Sequence, residues 1–306
     1  MPTLAESPRR ALLLLNPNAR NGNQDVESAL QRLREAGLTL IDLDPDGPED
    51  VASCIRRHAH DADLLIAGGG DGTMNTVAEA LMDTGLTLGL LPLGTANDLA
   101  RTLGIPDDLG AAAAIIADGR TVHIDVSEIN GRPFFNVAHV GIAAEIPRHT
   151  SQAEKRFFGP LSYLLAAIRT WRSHRSFNAR VRIDGRDQRL RCTQLSVGNG
   201  RHFGGGMLID ADARLDSGRL VLSSWKLRSF WRLVLIGLAM RRGQHRYFSE
   251  VLQVTAETIE IDTDVPLRLT ADGEEFGHTP AAFRLHPGRV AVRVAQDDAG
   301  AAHVDG

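Results

Sequence analysis

The segment Gly68-Gly69-Gly70-Asp71-Gly72-Thr73 lies between the apolar run Leu64-Leu65-Ile66-Ala67 and Met74 to Leu81, a stretch patterned as the opening of a helix. A buried strand, a glycine turn and a helix start together make an anion seat. Glycine admits close backbone approach, and the first N–H groups of the helix supply positive potential. Asp71 is the unusual member. A carboxylate repels a bare phosphate at such short range, so Asp71 is expected to face a metal ion, a sugar hydroxyl or the hydroxyl that attacks phosphorus. The loop therefore points to phosphoryl transfer more than to simple dinucleotide binding. Two other phosphate motifs fail here: a Rossmann fingerprint needs glycine where Thr73 stands, and a P-loop needs Gly-Lys-Ser/Thr at the helix start. Lys155 and Lys226 are the only lysines, so arginine, backbone amides and a divalent metal have to carry the positive charge.

From Ala11 to about Asp118 apolar strands alternate with amphipathic stretches: Ala11 to Leu15, Val26 to Ala36, Leu38 to Leu43, a helix opened by Pro48-Glu49-Asp50, the strand at Leu64, and Thr87 to Leu91. Strands that are apolar on both faces and separated by helices predict an α/β domain with a doubly wound parallel sheet, assigned to residues 1–122. Ligands of such sheets bind at the carboxyl ends of the strands. Beyond Thr121 the period changes to two, in segments such as Val122 to Val126, Ala179 to Ile183, Leu190 to Val197 and Val251 to Ile261. That pattern predicts a second, β-rich antiparallel, sandwich-like domain over residues 123–306, ending in a loosely held tail from Gln296. A length of 306 residues accommodates both domains.

Hydrophobic residues make up 43% and charged residues 24%, with a formal net charge of −4, which excludes disorder and generic nucleic-acid binding. Cys54 and Cys192 are too few for a disulfide framework, and the histidines, among them His58, His139, His202 and His278, have no zinc spacing. No export signal is visible. Leu161 to Ile168 and Phe230 to Met240 fall short of the roughly 20 apolar residues that span a bilayer. A soluble, reduced, cytoplasmic protein is the expectation.

Two further loops share the character of the Asp71 loop: Asn16-Pro17-Asn18-Ala19-Arg20-Asn21-Gly22 and Pro92-Leu93-Gly94-Thr95-Ala96-Asn97-Asp98. All three should meet at one edge of the sheet. Thr95 offers a hydroxyl to phosphate, and Asn97 or Asp98 is expected to cap a helix beginning at Leu99. An ordinary N-cap would explain the third loop taken alone.

Gly-Gly-Gly-Asp-Gly-Thr followed by Leu-Pro-Leu-Gly-Thr-Ala-Asn-Asp resembles the diacylglycerol kinase catalytic family, and within it the bacterial YegS-like lipid kinases. The resemblance continues through Gly198-Asn199-Gly200-Arg201, Gly204-Gly205-Gly206 and Asp272-Gly273-Glu274. It implies ATP phosphates held by Gly70, Asp71, Gly72, Thr73, Met74, Asn75 and Thr76 and by Gly94, Thr95 and Asn97, with Asn16 closing the pocket. Glu274 is implied as the general base, with Asp71 as its rival. Asp210 to Gly218 is not an EF-hand, because Arg214 stands where an oxygen ligand is required. By resemblance this loop holds a structural Mg²⁺ through the carbonyls of Arg214 and Arg219 and the side chain of Ser217, where serine replaces the usual aspartate. Family members often carry Ser-Gly where this chain has Ala19-Arg20.

The implied activity is transfer of the γ-phosphoryl group of ATP to the hydroxyl of a lipid such as diacylglycerol, phosphatidylglycerol or a sphingoid base. An NAD kinase-like enzyme with a soluble substrate and a non-catalytic lipid-binding protein of the same fold are the alternatives. Phe230 to Leu238, flanked by Lys226, Arg228, Arg241, Arg242 and Arg246, could rest transiently on an anionic membrane at its inner face. Oligomeric state is not legible.

Overall fold

The structure, a computed structural model, describes residues 9–16, 23–145, 176–199, 202–203, 207–208, 215–227, 229, 231, 235 and 251–296. The first part of the chain runs through β1 (Arg9–Leu15), α1 (Asn23–Glu35), β2 (Leu38–Asp42), α2 (Val51–His58), β3 (Leu64–Gly69), α3 (Asp71–Thr84), β4 (Thr87–Pro92), α4 (Asp98–Thr102) and α5 (Leu109–Asp118). There follow β5 (Arg120–Ile129), β6 (Arg132–Phe134), β7 (Val137–Gly141), α6 (Ile142–Glu145), β8 (Phe177–Ile183), β9 (Arg186–Cys192) and β10 (Gln194–Gly198). The short β11 (His202–Phe203) and β12 (Met207–Leu208) pair with each other. The chain closes with β13 (Leu220–Trp225), β14 (Val251–Ala256), β15 (Thr258–Thr263), β16 (Arg268–Ala271), β17 (Glu274–His278) and β18 (Ala281–Val294).

Contacts divide the chain into two compact units, Met1–Ile124 with Arg289–Gly306, and Asp125–Gly288. In the first, parallel strands lie in the order β2-β1-β3-β4. Ala11, Leu12, Leu65, Ile66, Leu88 and Leu91 are fully buried, as strands covered on both faces require. Helix α1 packs on α5 and α2 on α3. The chain leaves β1 toward β2 and leaves β3 toward β4, so the order reverses between β1 and β3, and right-handed crossovers put α1 and α3 on opposite faces. That reversal opens a crevice at the carboxyl ends of β1 and β3.

The sequence reading places everything after residue 122 in the second domain, whereas contacts return Arg289–Gly306 to the first unit. Val290, Val292 and Val294 are buried at every second position, and Val292 pairs in parallel with Leu88 of β4. A strand from the end of the chain thus extends the first sheet, a pairing that no local pattern encodes.

The second unit is antiparallel. One sheet is ordered β14-β13-β10-β7-β16-β17; β9, β8, β15 and the first residues of β18 form another ladder, and β5 pairs with β6. Leu195, Val197, Leu222 and Leu269 from the six-stranded sheet share one core with Val181, Ile259, Ile261 and Phe283. Three hairpins turn on Asx-Gly pairs with positive φ at both residues: Asn130-Gly131, Asp184-Gly185 and Asp272-Gly273. This is the type I′ geometry whose twist matches that of the strands. The period-two pattern does not mean a solvated outer face throughout. Ser223, Ser196, His139 and Thr270 are successive cross-strand neighbours, and all four are buried.

Candidate active site

Asn16 and the loops around Asp71 and Gly94 meet at the carboxyl edge of the first sheet. Asn16, directly after β1, donates its backbone N–H to the Gly68 carbonyl at 2.9 Å and its Nδ2 to Thr73 Oγ1 at 3.0 Å. A Cβ at Gly94 would stand 2.5 Å from the Gly70 Cα, so the second and third loops touch backbone to backbone and only glycine fits. The first intrahelical bond of α3 runs from the Met74 N–H to the Gly70 carbonyl, leaving the N–H groups of Asp71, Gly72 and Thr73 without helical acceptors at the positive end of the helix. These are the groups a phosphate would meet.

Asp71 does not simply face outward from this seat. Its Oδ2 accepts the backbone N–H of Asp98 at 3.1 Å and its Oδ1 that of Leu99 at 3.0 Å, so it caps α4 from another element. Asn97 occupies the N-cap position of α4 with φ of 49° and makes no side-chain cap bond. Its Oδ1 instead accepts the Gly94 N–H at 2.9 Å and its Nδ2 donates to Asp107 Oδ1 at 3.2 Å. The expectation that Asn97 or Asp98 caps this helix with its own side chain is therefore corrected: Asp71 does so, because Asn97 is spent on shaping the loop. Met74 is core, and Thr76 Oγ1 donates to the Gly72 carbonyl at 2.9 Å. Thr95 is exposed at the loop surface. Asn75 is buried with neither side-chain polar atom partnered, a cost expected where a ligand or water completes the site.

In the second unit, Glu274 begins β17 immediately after the Asp272-Gly273 turn. The Asp272 carboxylate accepts three consecutive backbone N–H groups: Phe135 at 3.0 Å, Asn136 at 3.1 Å and Val137 at 2.9 Å. Its own N–H returns to the Val137 carbonyl at 3.1 Å. A solvated turn is thus not what these residues form. Arg132 reaches Glu274 Oε2 with Nη2 at 3.4 Å, donates Nη1 to the Glu275 carbonyl at 2.8 Å, and lays its guanidinium 3.9 Å from the Phe276 ring centroid. Partial burial pushes the Glu274 carboxyl above its ordinary value, and Arg132 opposes the shift. A carboxylate with a raised pKa on a rigid hairpin tip is a competent proton acceptor near neutral pH.

Residues 10–129 match the family described as the diacylglycerol kinase catalytic domain, and residues 136–294 match the YegS C-terminal NAD kinase beta sandwich-like domain. The chain belongs to the YegS-like diacylglycerol kinase family. A diacylglycerol kinase of Staphylococcus aureus (strain MRSA252) is 28% identical over 280 residues, covering 90% of this chain and 89% of its own. The enzyme of strain JH9 gives the same figures. The crystal structure of a Bacillus anthracis str. Sterne diacylglycerol kinase superposes with a TM-score of 0.76 at 26% identity, covering 94% of this chain and 97% of that one. This family membership makes the chain a lipid kinase of the diacylglycerol kinase type, with the fold class read from its sequence.

The structural Mg²⁺ that the family resemblance places at residues 214–219 fits the described residues poorly. Arg214 and Arg20 lie outside them. Ser217 Oγ donates to the Arg219 carbonyl at 3.3 Å and accepts the Arg219 N–H at 3.4 Å, so the two oxygens serve each other. The acid that holds this loop is Asp125, 2% exposed, whose carboxylate accepts the N–H groups of Gly218 at 2.7 Å and Gly288 at 2.8 Å. Ser217 Oγ and the Arg219 carbonyl are both neutral, whereas Mg²⁺ is usually held through one or two carboxylates. Among the described residues no cluster of three His, Cys, Asp or Glu side chains could hold a metal.

Sequence reasoning missed Arg132 and Asp125. Asn130-Gly131 directly before Arg132 is a strong hairpin signal and could have placed that arginine at a strand start. Nothing local marks Asp125.

Proposed function

We propose that the chain is an ATP-dependent lipid kinase that transfers the γ-phosphoryl group to the hydroxyl of a neutral lipid of the diacylglycerol class. The observation that carries this reading is Glu274, a carboxyl pushed upward by burial on a hairpin tip fixed by Asp272, in a chain that also keeps the Gly70–Gly94 phosphate seat. The N–H groups of Asp71, Gly72 and Thr73 bind phosphate oxygens, Asn16 holds Thr73 in place, and Thr95 adds a hydroxyl donor. Glu274 takes the proton from the lipid O–H as that oxygen bonds to the γ-phosphorus and the bond to the β-phosphate oxygen breaks, giving the phosphorylated lipid and ADP. A divalent ion bound with ATP would supply neutralising charge to the phosphates. Asp71, with both oxygens engaged by α4, organises the phosphate end and leaves the proton to Glu274.

The acceptor lies in a membrane, and Trp231 and Leu235 offer a means of contact. They are 73% and 50% exposed and sit one helical turn apart in a basic stretch of sequence. No helix among the described residues is long and apolar enough to cross a bilayer.

The test is incubation with labelled ATP, Mg²⁺ and vesicles carrying diacylglycerol, phosphatidylglycerol or sphingosine, beside NAD in solution. Label in a lipid, lost in Glu274→Gln, is the expected result. Label in NAD alone would point to a soluble-substrate kinase, and no label in any acceptor to a binding protein.

A further inference from the structure

We propose that Asp272 is a positioning residue, which holds Glu274 in its reactive place without touching the substrate; the inference rests on the reading of Glu274 as proton acceptor. The turn that presents Glu274 has positive φ at Asp272 (49°) and Gly273 (85°), the first of which is a sparsely populated conformation for a residue with a side chain. Such a conformation persists only where surrounding contacts over-determine it. Here the Asp272 carboxylate gathers the N–H groups of three successive residues, Phe135, Asn136 and Val137, and its N–H bonds the Val137 carbonyl. A charge held by backbone donors on both oxygens has little freedom to rotate.

These bonds tie the tip of the β16–β17 hairpin to the start of β7, the strand beside β16. Glu274 is the second residue beyond the clamp and directly opposite Ala271 in the ladder. From the other side Arg132 grips β17 through the Glu275 carbonyl and the Phe276 ring. Glu274 is thus fixed at its main chain from two directions. Proton transfer depends steeply on such placement, and a displacement of about 1 Å costs on the order of 100-fold in rate.

The fold contains its own control. Asp184 occupies the same place in the β8–β9 turn, with φ of 45°, and its carboxylate accepts the N–H groups of Glu257 at 2.9 Å and Thr258 at 3.0 Å. It does the same mechanical work where no catalytic group follows. A purely structural role predicts equal consequences for Asp272 and Asp184.

The experiment measures lipid phosphorylation and thermal unfolding for Asp272→Ala, Asp272→Asn, Asp184→Ala, Glu274→Gln and the double variant Asp272→Ala/Glu274→Gln. Asp272→Ala is expected to lower kcat by about 100-fold with KM for ATP within about twofold, while Asp184→Ala loses comparable stability and keeps its kcat. The double variant should be no slower than Glu274→Gln, because a residue acting through Glu274 has nothing left to position. If Asp272→Ala does not fold, Asp272→Asn, which retains an acceptor oxygen, is expected to give a partial loss of kcat with the same non-additivity. Equal kcat in Asp272→Ala and Asp184→Ala, or a double variant slowed by the full product of the two single effects, would overturn the proposal. Absence of lipid turnover in the wild type overturns the kinase reading itself, and the role assigned to Asp272 with it.

Discussion

The Asp71 carboxylate accepts the backbone N–H of Leu99 at 3.0 Å, joining the first residue of α3 to the first turn of α4. Its other oxygen takes the Asp98 N–H. One acid at the start of α3 therefore also caps the helix of the neighbouring loop, and the two loops of the proposed phosphate seat are joined by a side chain that looks in sequence like a ligand-facing charge. Asp98 and Leu99 are buried, so loss of the acceptor strands two N–H groups away from water. Asp71→Ala is expected to cost about 2 kcal/mol in urea unfolding, and Asp71→Asn, which keeps one acceptor, about half of that. Turnover by Asp71→Asn should fall by more than its small stability loss explains. Wild-type stability in Asp71→Ala would refute the capping role.

Glu274 should impose an acid limb on kcat/KM. Its raised pKa means that the carboxylate base is lost as pH falls through a value above the ordinary range for glutamate. Removing the opposing cation in Arg132→Met should move this limb further up, while the apolar stem over Phe276 is kept. On the plateau above this limb Glu274→Gln should reduce kcat by about 10²- to 10⁴-fold, and the variant should lack the limb. A pH profile of kcat/KM for the three proteins decides the matter, and an Arg132→Met limb that stays put or moves down would count against the pairing.

His139 should make the second unit acid-sensitive. Burial depresses its pKa to about 4 from an ordinary 6.5, and its Nδ1 lies 3.0 Å from Ser196 Oγ. The unfolded chain therefore binds a proton through pH 6.5 while the folded chain does not until about pH 4. Stability is full above that window and falls as pH drops through it, by about 2 kcal/mol between pH 7 and pH 5. In His139→Gln that part of the slope should vanish when unfolding by urea is compared at the two values. An unchanged slope would show that other groups carry the acid sensitivity.

The loop at Ser217 should hold together without metal. Asp125 already satisfies the Gly218 and Gly288 N–H groups, so chelation by EDTA is expected to leave the melting temperature unchanged within about 1 °C. Ser217→Asp restores a carboxylate and should make the melting temperature rise with added Mg²⁺. A wild-type melting temperature that drops on chelation would show that the loop binds an ion after all.

Sequence by itself determined what is local in this protein. The apolar runs at Leu12, Leu65 and Leu88 need cover on both faces, and the glycines after β3 allow only a turn of close approach, so the parallel sheet and its anion seat follow from neighbouring residues. The glycine loop at Gly70 is legible in a motif a few residues long, whereas Glu274 is singled out only by the family resemblance, and its raised carboxyl comes from burial in the folded chain. Tertiary structure decided what those acids do. Asp71 finds its N–H partners 27 and 28 residues away, Asp272 finds its partners 135 to 137 residues away, and Glu274 meets Arg132 across 142. A carboxylate reads alike in sequence whether it will meet a ligand, a helix end or a distant strand. Folding selects among these, because an acid and the backbone N–H groups it satisfies are buried together only in the folded chain.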